Sequence, residues 1–203
     1  HWGFGHGSLA TLQTREDGSR DLVVYEAPLR AKDAAWLVRW RSEKIAGPQA
    51  AAWVACGDFK PQKVGKAYVV VATADGAGLT VTLYDPPEVF TTRAWAALPA
   101  KNRLIPAEKL GGTVEHIAAG NLYGSRLDPD GLCVLIRSGE GDTANWFVGQ
   151  VRVPMDEKGE AELTRREPLP VKADPSFVAG FAVGDFWGTG EDSICFPIGG
   201  EAG

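Results

Sequence analysis

The chain has 203 residues, with 21 basic and 26 acidic side chains and a formal charge of -5 at pH 7. A hydrophobic share of 44% and a charged share of 23% are ordinary for a globular protein and exclude intrinsic disorder as the main state. No apolar run approaches the roughly 20 residues of a membrane-spanning helix. The net acidity argues against nucleic acid as the main partner, because phosphate backbones select clustered Lys and Arg.

The first unit, which we place at 1–47, predicts a strand, a polar turn and a second strand. The turn is Asp17-Gly18-Ser19-Arg20-Asp21, and the second strand opens at Leu22. Gly, Asp and Ser are the residues that tight turns prefer. The chain begins at His1 rather than Met, which favours a processed or excised segment.

The second unit, at 48–110, predicts four strands. Its apolar runs are rich in β-branched and aromatic residues, and Gly, Pro and Asp separate them. We place the strands at 51–56, 67–74, 78–84 and 89–96. The stretch at 91–102 also fits a short helix, an alternative that Pro99 and the two leading threonines disfavour.

The third unit, at 111–173, again predicts four strands, and a partial fourth unit at 174–203 predicts two. The strands of the third unit are placed at 114–119, 132–138, 145–153 and 160–166. Those of the fourth lie within 178–186 and 194–199. Turn-forming residues again fill the gaps between the strands.

One signature recurs in three units, where a small-residue apolar strand runs into Gly-Asp/Asn-Phe/Leu. Its glycines, Gly57, Gly120 and Gly184, are 63 and 64 residues apart. The second strands open at Leu22, Tyr68, Leu132 and Ile194, which we take as equivalent positions. Four-stranded units at a fixed period indicate an all-β fold, a β-propeller in which each unit is one blade. A β-sandwich is the runner-up, but it does not require so long and regular a repeat.

The first copy resembles the FG-GAP repeat, also called the VCBS or integrin-α-like repeat. Phe4-Gly5 opens it, residues 17–22 form its loop, and Glu26-Ala27-Pro28 closes it in the manner of Gly-Ala-Pro. The later copies keep the Gly-Asp-Phe entry and the following strand but lose the closing motif. The resemblance implies a propeller, commonly of seven blades, of which this chain holds about three and a half. It also implies repeat loops on one face, with ligand sites usually on the other.

Loops of this family often bind calcium through the pattern D-x-D/N-x-D-G-x-x-D. Calcium prefers several carboxylate or carbonyl oxygens on one short loop. The first loop offers Asp17 and Asp21 but has Arg15 where a ligand would stand, and the other loops keep fewer oxygens still. We expect no cofactor, with Asp17 and Asp21 as the candidates if calcium binds. Hydrogen bonds from backbone N–H groups to the side chains of Asp58 and Asp185 are then expected to hold these loops.

Candidate catalytic chemistry is sparse, and we expect no catalytic residues. His1 and His6 have the residue types of a copper brace without the surrounding sequence, and His116 lies in a predicted strand. The carboxylates in turns are expected to be solvated rather than paired about a glycosidic bond; they are Asp128, Asp130, Asp142, Glu191 and Asp192. Three cysteines are an odd number and give no disulfide framework. We expect Cys56, Cys133 and Cys195 to be buried free thiols.

Seven tryptophans are many for this length, and aromatic rings are platforms on which sugars stack. Trp187 and Tyr123 occupy equivalent loop positions in successive copies, which makes them the candidate ligand-binding residues. The competing interpretation is that both fill gaps between blades. The tryptophans in predicted strands are expected in the core; they are Trp36, Trp40, Trp53, Trp95 and Trp146.

An arc of blades that ends in a two-stranded unit leaves sheet edges and an apolar face open. The chain is then a segment of a longer propeller, or two copies join, or strands of the first unit complete the last. We expect a non-catalytic recognition or scaffold module that binds a glycan or a protein. Its expected location is extracellular, on the cell surface or periplasmic. The alternative is a carbohydrate-active enzyme, such as a polysaccharide lyase or hydrolase, on a propeller scaffold.

Overall fold

A computed structural model describes most of the chain. The described residues are 8–26, 36–59, 67–85, 95–122, 129–169, 181–189 and 191–195. Within these ranges the fold is all-β, with several antiparallel sheets, one short helix α1 (Ala107–Leu110) and one 3-10 turn at Gly141–Thr143. In this part of the chain no helix has the length and apolar character that a membrane crossing requires.

Sheet I is formed by the first unit. Its strands, in spatial order, are β1 (Ser8–Thr14), β2 (Arg20–Glu26) and β3 (Leu37–Arg41). The turn between β1 and β2 needs Gly18, whose φ of 78° lies in the left-handed region that disfavours other residues. The two strands predicted around this turn are present, and β3 is an additional strand on the outer side of β2.

Sheet II is formed by the second unit. Its strands are β4 (Ala51–Gly57), β5 (Tyr68–Asp75), β6 (Gly78–Asp85) and β7 (Ala96–Ala97), with β8 (Leu104–Pro106) also paired to β6. Residues 89–94 of the strand predicted at 89–96 lie outside the described residues. The described part of this prediction contains only the start of the short strand β7. The alternative prediction of a helix at 91–102 is wrong for the described residues 95–102, which contain the strand β7 instead.

Sheets III and IV follow. Sheet III has the spatial order β12 (Glu162–Pro168), β11 (Asn145–Arg152), β10 (Gly131–Ser138) and β9 (Thr113–Gly120). Each strand predicted for the third unit is present, with its ends shifted by no more than two residues. Sheet IV pairs β13 (Ala182–Gly184) with β14 (Ser193–Cys195).

Both faces of sheet II are buried between its neighbours. Tyr68 and Val70 of β5 pack with β10 residues such as Leu132, in the core between sheets II and III. The alternate residue Val69 packs with Leu22 in the core between sheets I and II. Because successive side chains of a strand point to opposite faces, an apolar run such as 68–72 indicates a strand covered on both sides.

The register of sheet II corrects one equivalence drawn from the sequence. Tyr68 pairs with the terminal Gly57, whereas Leu132 pairs with Ala119, which precedes the terminal glycine of β9. The counterpart of Leu132 is therefore Val69, not Tyr68. The sequence does not reveal this one-residue offset. A strand that is apolar on both faces has no alternation of apolar and polar residues, so its pairing register cannot be read from the sequence.

Four of the five tryptophans expected in the core pack there, and one does not. Trp95 and Trp146 are buried, and Trp40 and Trp53 are partly buried against the two cores. The prediction is wrong for Trp36, which precedes β3 and is 49% exposed. Its neighbours Leu37 and Val38 are also exposed, because β3 is an outer strand rather than a central one.

The thiol prediction holds for one cysteine of three. All three are free, but Cys56 and Cys195 are exposed, since each lies on an edge strand of its described sheet, and the expected burial is wrong for them. Cys133 is buried in the middle of sheet III, where its thiol donates to the Gln150 side-chain oxygen at 3.3 Å. Burial raises the pKa of Cys133 to about 12, so this thiol is inert at neutral pH.

Candidate functional site

The end of β4 is tied to sheet III by a carboxylate. The backbone N–H of Asp58 donates to Asp130 Oδ2 at 2.7 Å, and the N–H of Asp130 donates to the Asp58 carbonyl at 2.8 Å. Gly57 permits this approach, because a Cβ there would lie 2.8 Å from Asp130 Oδ2 and 2.9 Å from the Ala119 Cβ. Any side chain at position 57 would therefore press against the neighbouring sheet.

The end of β9 is tied to sheet IV in the same manner. The N–H of Asn121 donates to Asp192 Oδ2 at 2.6 Å. A Cβ on Gly120 would lie 2.3 Å from Val183 Cγ1 and 3.1 Å from Asp192 Oδ2. We call each set an inter-sheet corner: a terminal glycine, the backbone N–H that follows it, and an aspartate of the next sheet.

The corners change the interpretation of two turn carboxylates. Asp130 and Asp192 were expected to be solvated, and that expectation is wrong, because each accepts a backbone N–H of the preceding sheet. The sequence offered one signal, which is that each aspartate stands directly before the second strand of its unit. Asp185 behaves as expected, since its Oδ1 accepts the Thr189 N–H at 2.8 Å and holds its own loop.

Asp21, one of the two calcium candidates, is enclosed by guanidinium groups. Its Oδ1 lies 2.7 Å from Arg15 Nε, its Oδ2 lies 3.0 Å from Arg41 Nη1, and the carboxylate is only 1% exposed. Burial alone would raise the pKa of Asp21, but the hydrogen bonds from both arginines outweigh it and hold that pKa below its ordinary value. The loop is thus cross-linked by cationic side chains of its own sheet.

Asp17, the other calcium candidate, caps its own turn. Its Oδ1 accepts the backbone N–H of Ser19 at 2.9 Å and the Ser19 hydroxyl at 2.5 Å, and Lys44 Nζ lies 3.7 Å from Oδ2. The bond from the Ser19 hydroxyl is the main reason that the pKa of Asp17 is lowered. Among the described residues, no group of three or more His, Cys, Asp or Glu side chains is placed to hold a metal ion.

Trp187, the first ligand-binding candidate, lies on the turn between β13 and β14. Its side chain is 79% exposed, and that of Phe186 beside it is 52% exposed. The hydrogen bond to Asp185 closes the turn, and Gly188 takes a left-handed φ of 69° within it. Tyr123, the second candidate, lies outside the described residues. The sequence search did not single out Phe186, although it completes a Gly-Asp-Phe motif.

A cleft of about 670 Å³ lies beside the Gly57 corner, lined by residues of sheet III and of its β11–β12 loop and by Phe59. Glu160 on its wall is ion-paired with Lys101 at 2.9 Å, and the resulting hydrogen bond lowers the pKa of Glu160. A general acid at neutral pH needs a carboxyl group whose pKa is raised. The ion pair therefore gives Glu160 the opposite of the character that the general acid of a glycosidase requires.

Among the described residues, the remaining sequence candidates form no cluster that could hold a metal ion. His116 lies on β9, half-buried, where it pairs with Leu135 of β10. His1, His6 and Asp128 lie outside the described residues, as does the side chain of Asp142. What the described part of the chain brings together is thus the pair of corners, and on sheet IV an exposed aromatic turn.

Comparison with known proteins adds no relative to this picture. No family model, no curated protein and no solved structure matches the chain. The fold class that the described residues establish is all-β, with antiparallel sheets stacked face to face. The likeness to FG-GAP repeats rests on the sequence motifs of the first unit and on the Gly-Asp-Phe entries.

Proposed function

We propose that the chain is a β-propeller region of degenerate FG-GAP-like blades and that it serves as a non-catalytic recognition or scaffold module. The corners support the propeller, because Gly57 and Gly120 join successive sheets at the same end of the first strand. The first strands also contact one another in sequence, β1 with β4, β4 with β9 and β9 with β13. Blades arranged around a central axis bring their first strands together in this order.

Recognition rather than catalysis is supported by the chemistry of the described side chains. The carboxylates Asp130, Asp192, Asp21 and Glu160 are engaged in corners or in ion pairs with Lys or Arg. The observation that carries a binding role is the 79% exposed indole of Trp187 on a turn fixed by Asp185. A rigid aromatic side chain offers a large contact area to a sugar face or an apolar protein surface at little entropic cost. Following the family resemblance, we place the module in a secreted or cell-surface protein.

A binding screen tests this function. Wild-type protein is applied to a glycan array and to cell-surface proteins, and any ligand found is titrated against Trp187→Ala and Trp187→Phe. We expect the alanine variant to bind at least about tenfold more weakly and the phenylalanine variant to recover part of the loss. Thr164→Ala is the control, since Thr164 is exposed on the wall of the cleft beside the Gly57 corner.

The outcomes of this screen separate two binding surfaces, and an activity assay tests the enzyme alternative. Loss with Trp187→Ala and unchanged binding with Thr164→Ala supports the turn as the binding surface. The reverse pattern moves the ligand to the cleft and overturns the role of Trp187. Release of sugar from a polysaccharide by the purified chain establishes instead the carbohydrate-active enzyme.

A further inference from the structure

The exposed large hydrophobic side chains of the described residues are confined to the first and last sheets. They are Leu9, Trp36, Leu37 and Val38 in and beside sheet I, and Phe186 and Trp187 on the turn of sheet IV. Sheets II and III contribute none to this set. Contiguous apolar exposure on a folded protein marks an interaction surface. The two ends of the stack of sheets are therefore the surfaces to which a partner would bind.

A buried counterpart shows what the turn of sheet IV is built to contact. Phe59 and Phe186 both follow a terminal glycine by two residues, and each ring lies over its own glycine. A Cβ added to Gly57 would lie 3.2 Å from the Phe59 ring, and one added to Gly184 would lie 3.8 Å from the Phe186 ring. Phe59 is 4% exposed and belongs to the core between sheets II and III, whereas Phe186 is 52% exposed. The surface around Gly184 thus resembles an inter-sheet corner on which the described residues place no further sheet.

The outward side of sheet I has a matching apolar surface. Leu9 and Val38 flank Tyr25 in register, on the face of sheet I opposite to the one that carries Leu22 into the core. Leu9 and Val38 are each about half exposed. The surface that covers Phe59 at the Gly57 corner is the face of a β-sheet. The outward face of sheet I is a surface of the same kind.

The charges of the two surfaces are complementary. The described residues of 181–195 carry Asp185, Glu191 and Asp192 and no Lys, Arg or His. Sheet I as a whole carries acidic as well as basic side chains. At its outward face, however, the half-exposed Arg15 and Arg41 share a single buried aspartate, so this group has an excess of positive charge. An aromatic and acidic surface attracts guanidinium groups through cation–π and charge interactions.

We propose that the aromatic turn of sheet IV binds the outward face of sheet I in a second copy of this chain, head to tail. The inference rests on the proposed recognition role of the turn and names its partner. Trp187 and Phe186 pack against Leu9 and Val38 of the other copy, and the exposed Glu191 faces its arginines. Such a contact joins two different surfaces, so two copies form a closed pair when both contacts are made at once.

The molar mass in solution tests the proposal. Light scattering at rising protein concentration is expected to show a species of twice the 21.7 kDa of one chain. Trp187→Asp alters the turn, and Val38→Glu places an acid opposite it, so each is expected to raise the dissociation constant at least about tenfold. Ala97→Asp, at an exposed position on β7, is the charge-matched control and should behave as wild type. Leu9→Glu replaces Val38→Glu if circular dichroism shows the latter unfolded.

Mixing the variants tests the head-to-tail geometry. Trp187→Asp retains an intact sheet I, and Val38→Glu retains an intact turn, so an equimolar mixture has one complete pair of surfaces. We expect two-chain species in the mixture at a concentration at which each variant alone is mainly of single mass. No recovery on mixing, or insensitivity of the wild-type species to Val38→Glu, overturns the proposal.

The proposed function and this inference fail separately. A wild-type chain of single mass at every concentration, with ligand binding that still depends on Trp187, overturns the second-copy contact and leaves the recognition role standing. Val38→Glu provides a further check, because it keeps the turn and should retain any glycan binding. A single mass together with no ligand binding overturns both.

Discussion

Asp130 and Asp21 both stand at the start of the second strand of their sheets, yet they are used differently. Asp130 accepts the backbone N–H of Asp58 and ties sheet III to sheet II. Asp21 is held within sheet I by Arg15 and Arg41. A carboxylate in this place can therefore join two sheets or stabilise one loop, and the residues that face it decide which. In the first case a backbone group of the preceding sheet supplies the partner, and in the second the cations are local.

The largest effect is expected where a corner has no room for a side chain. Gly120→Ala places a Cβ 2.3 Å from Val183 Cγ1, so β9 and β13 must move apart. We expect the free energy of unfolding to fall by about 2–3 kcal/mol, as for overpacked cores. Chemical denaturation followed by tryptophan fluorescence measures it. Gly47→Ala is the control, since nothing lies within 4 Å of its added Cβ, and a similar loss there would refute the steric origin.

A smaller loss is expected when the corner keeps its glycine but loses its acceptor. Asp130→Ala leaves the Asp58 N–H without the carboxylate and should cost about 1–3 kcal/mol, whereas Asp130→Asn keeps an oxygen acceptor and should cost less. Denaturation at matched protein concentration compares the two variants. Equal losses would show that the charge of Asp130 matters rather than its hydrogen bond.

The smallest effect is expected at Asp21, and it depends on pH. Its pKa in the folded state lies below the ordinary value of 3.8, so its contribution to stability is complete above that pH and is lost as the pH falls through the folded value. Asp21→Asn should therefore be less stable than wild type at pH 7, with the difference shrinking below pH 4. Thermal unfolding across this range measures the difference, and a gap that stays constant down to the acid limit would contradict the arginine pairing.

The sequence predicted the strands of the third unit well, because apolar runs such as 132–137 are bounded by clear turn residues. It failed where a feature depends on a neighbour in space. Trp36 and Trp40 were assigned to a core strand, but β3 is an outer strand and Trp36 beside it is exposed. An outer strand with exposed apolar residues has the same sequence pattern as an inner one. Asp130 and Asp192 were missed as corner residues because a turn aspartate looks the same whether water or another backbone is its partner.

Hydrogen exchange at two backbone amides tests the central claim, that successive sheets are joined by equivalent corners, most directly. The N–H groups of Asp58 and Asn121 donate to Asp130 and Asp192, and both should exchange slowly in the wild-type protein. Asp130→Ala should accelerate exchange at Asp58 and leave Asn121 protected, and Asp192→Ala should do the reverse. Exchange of both amides at the rate of an unstructured chain, or rates that ignore the two carboxylates, would contradict the account.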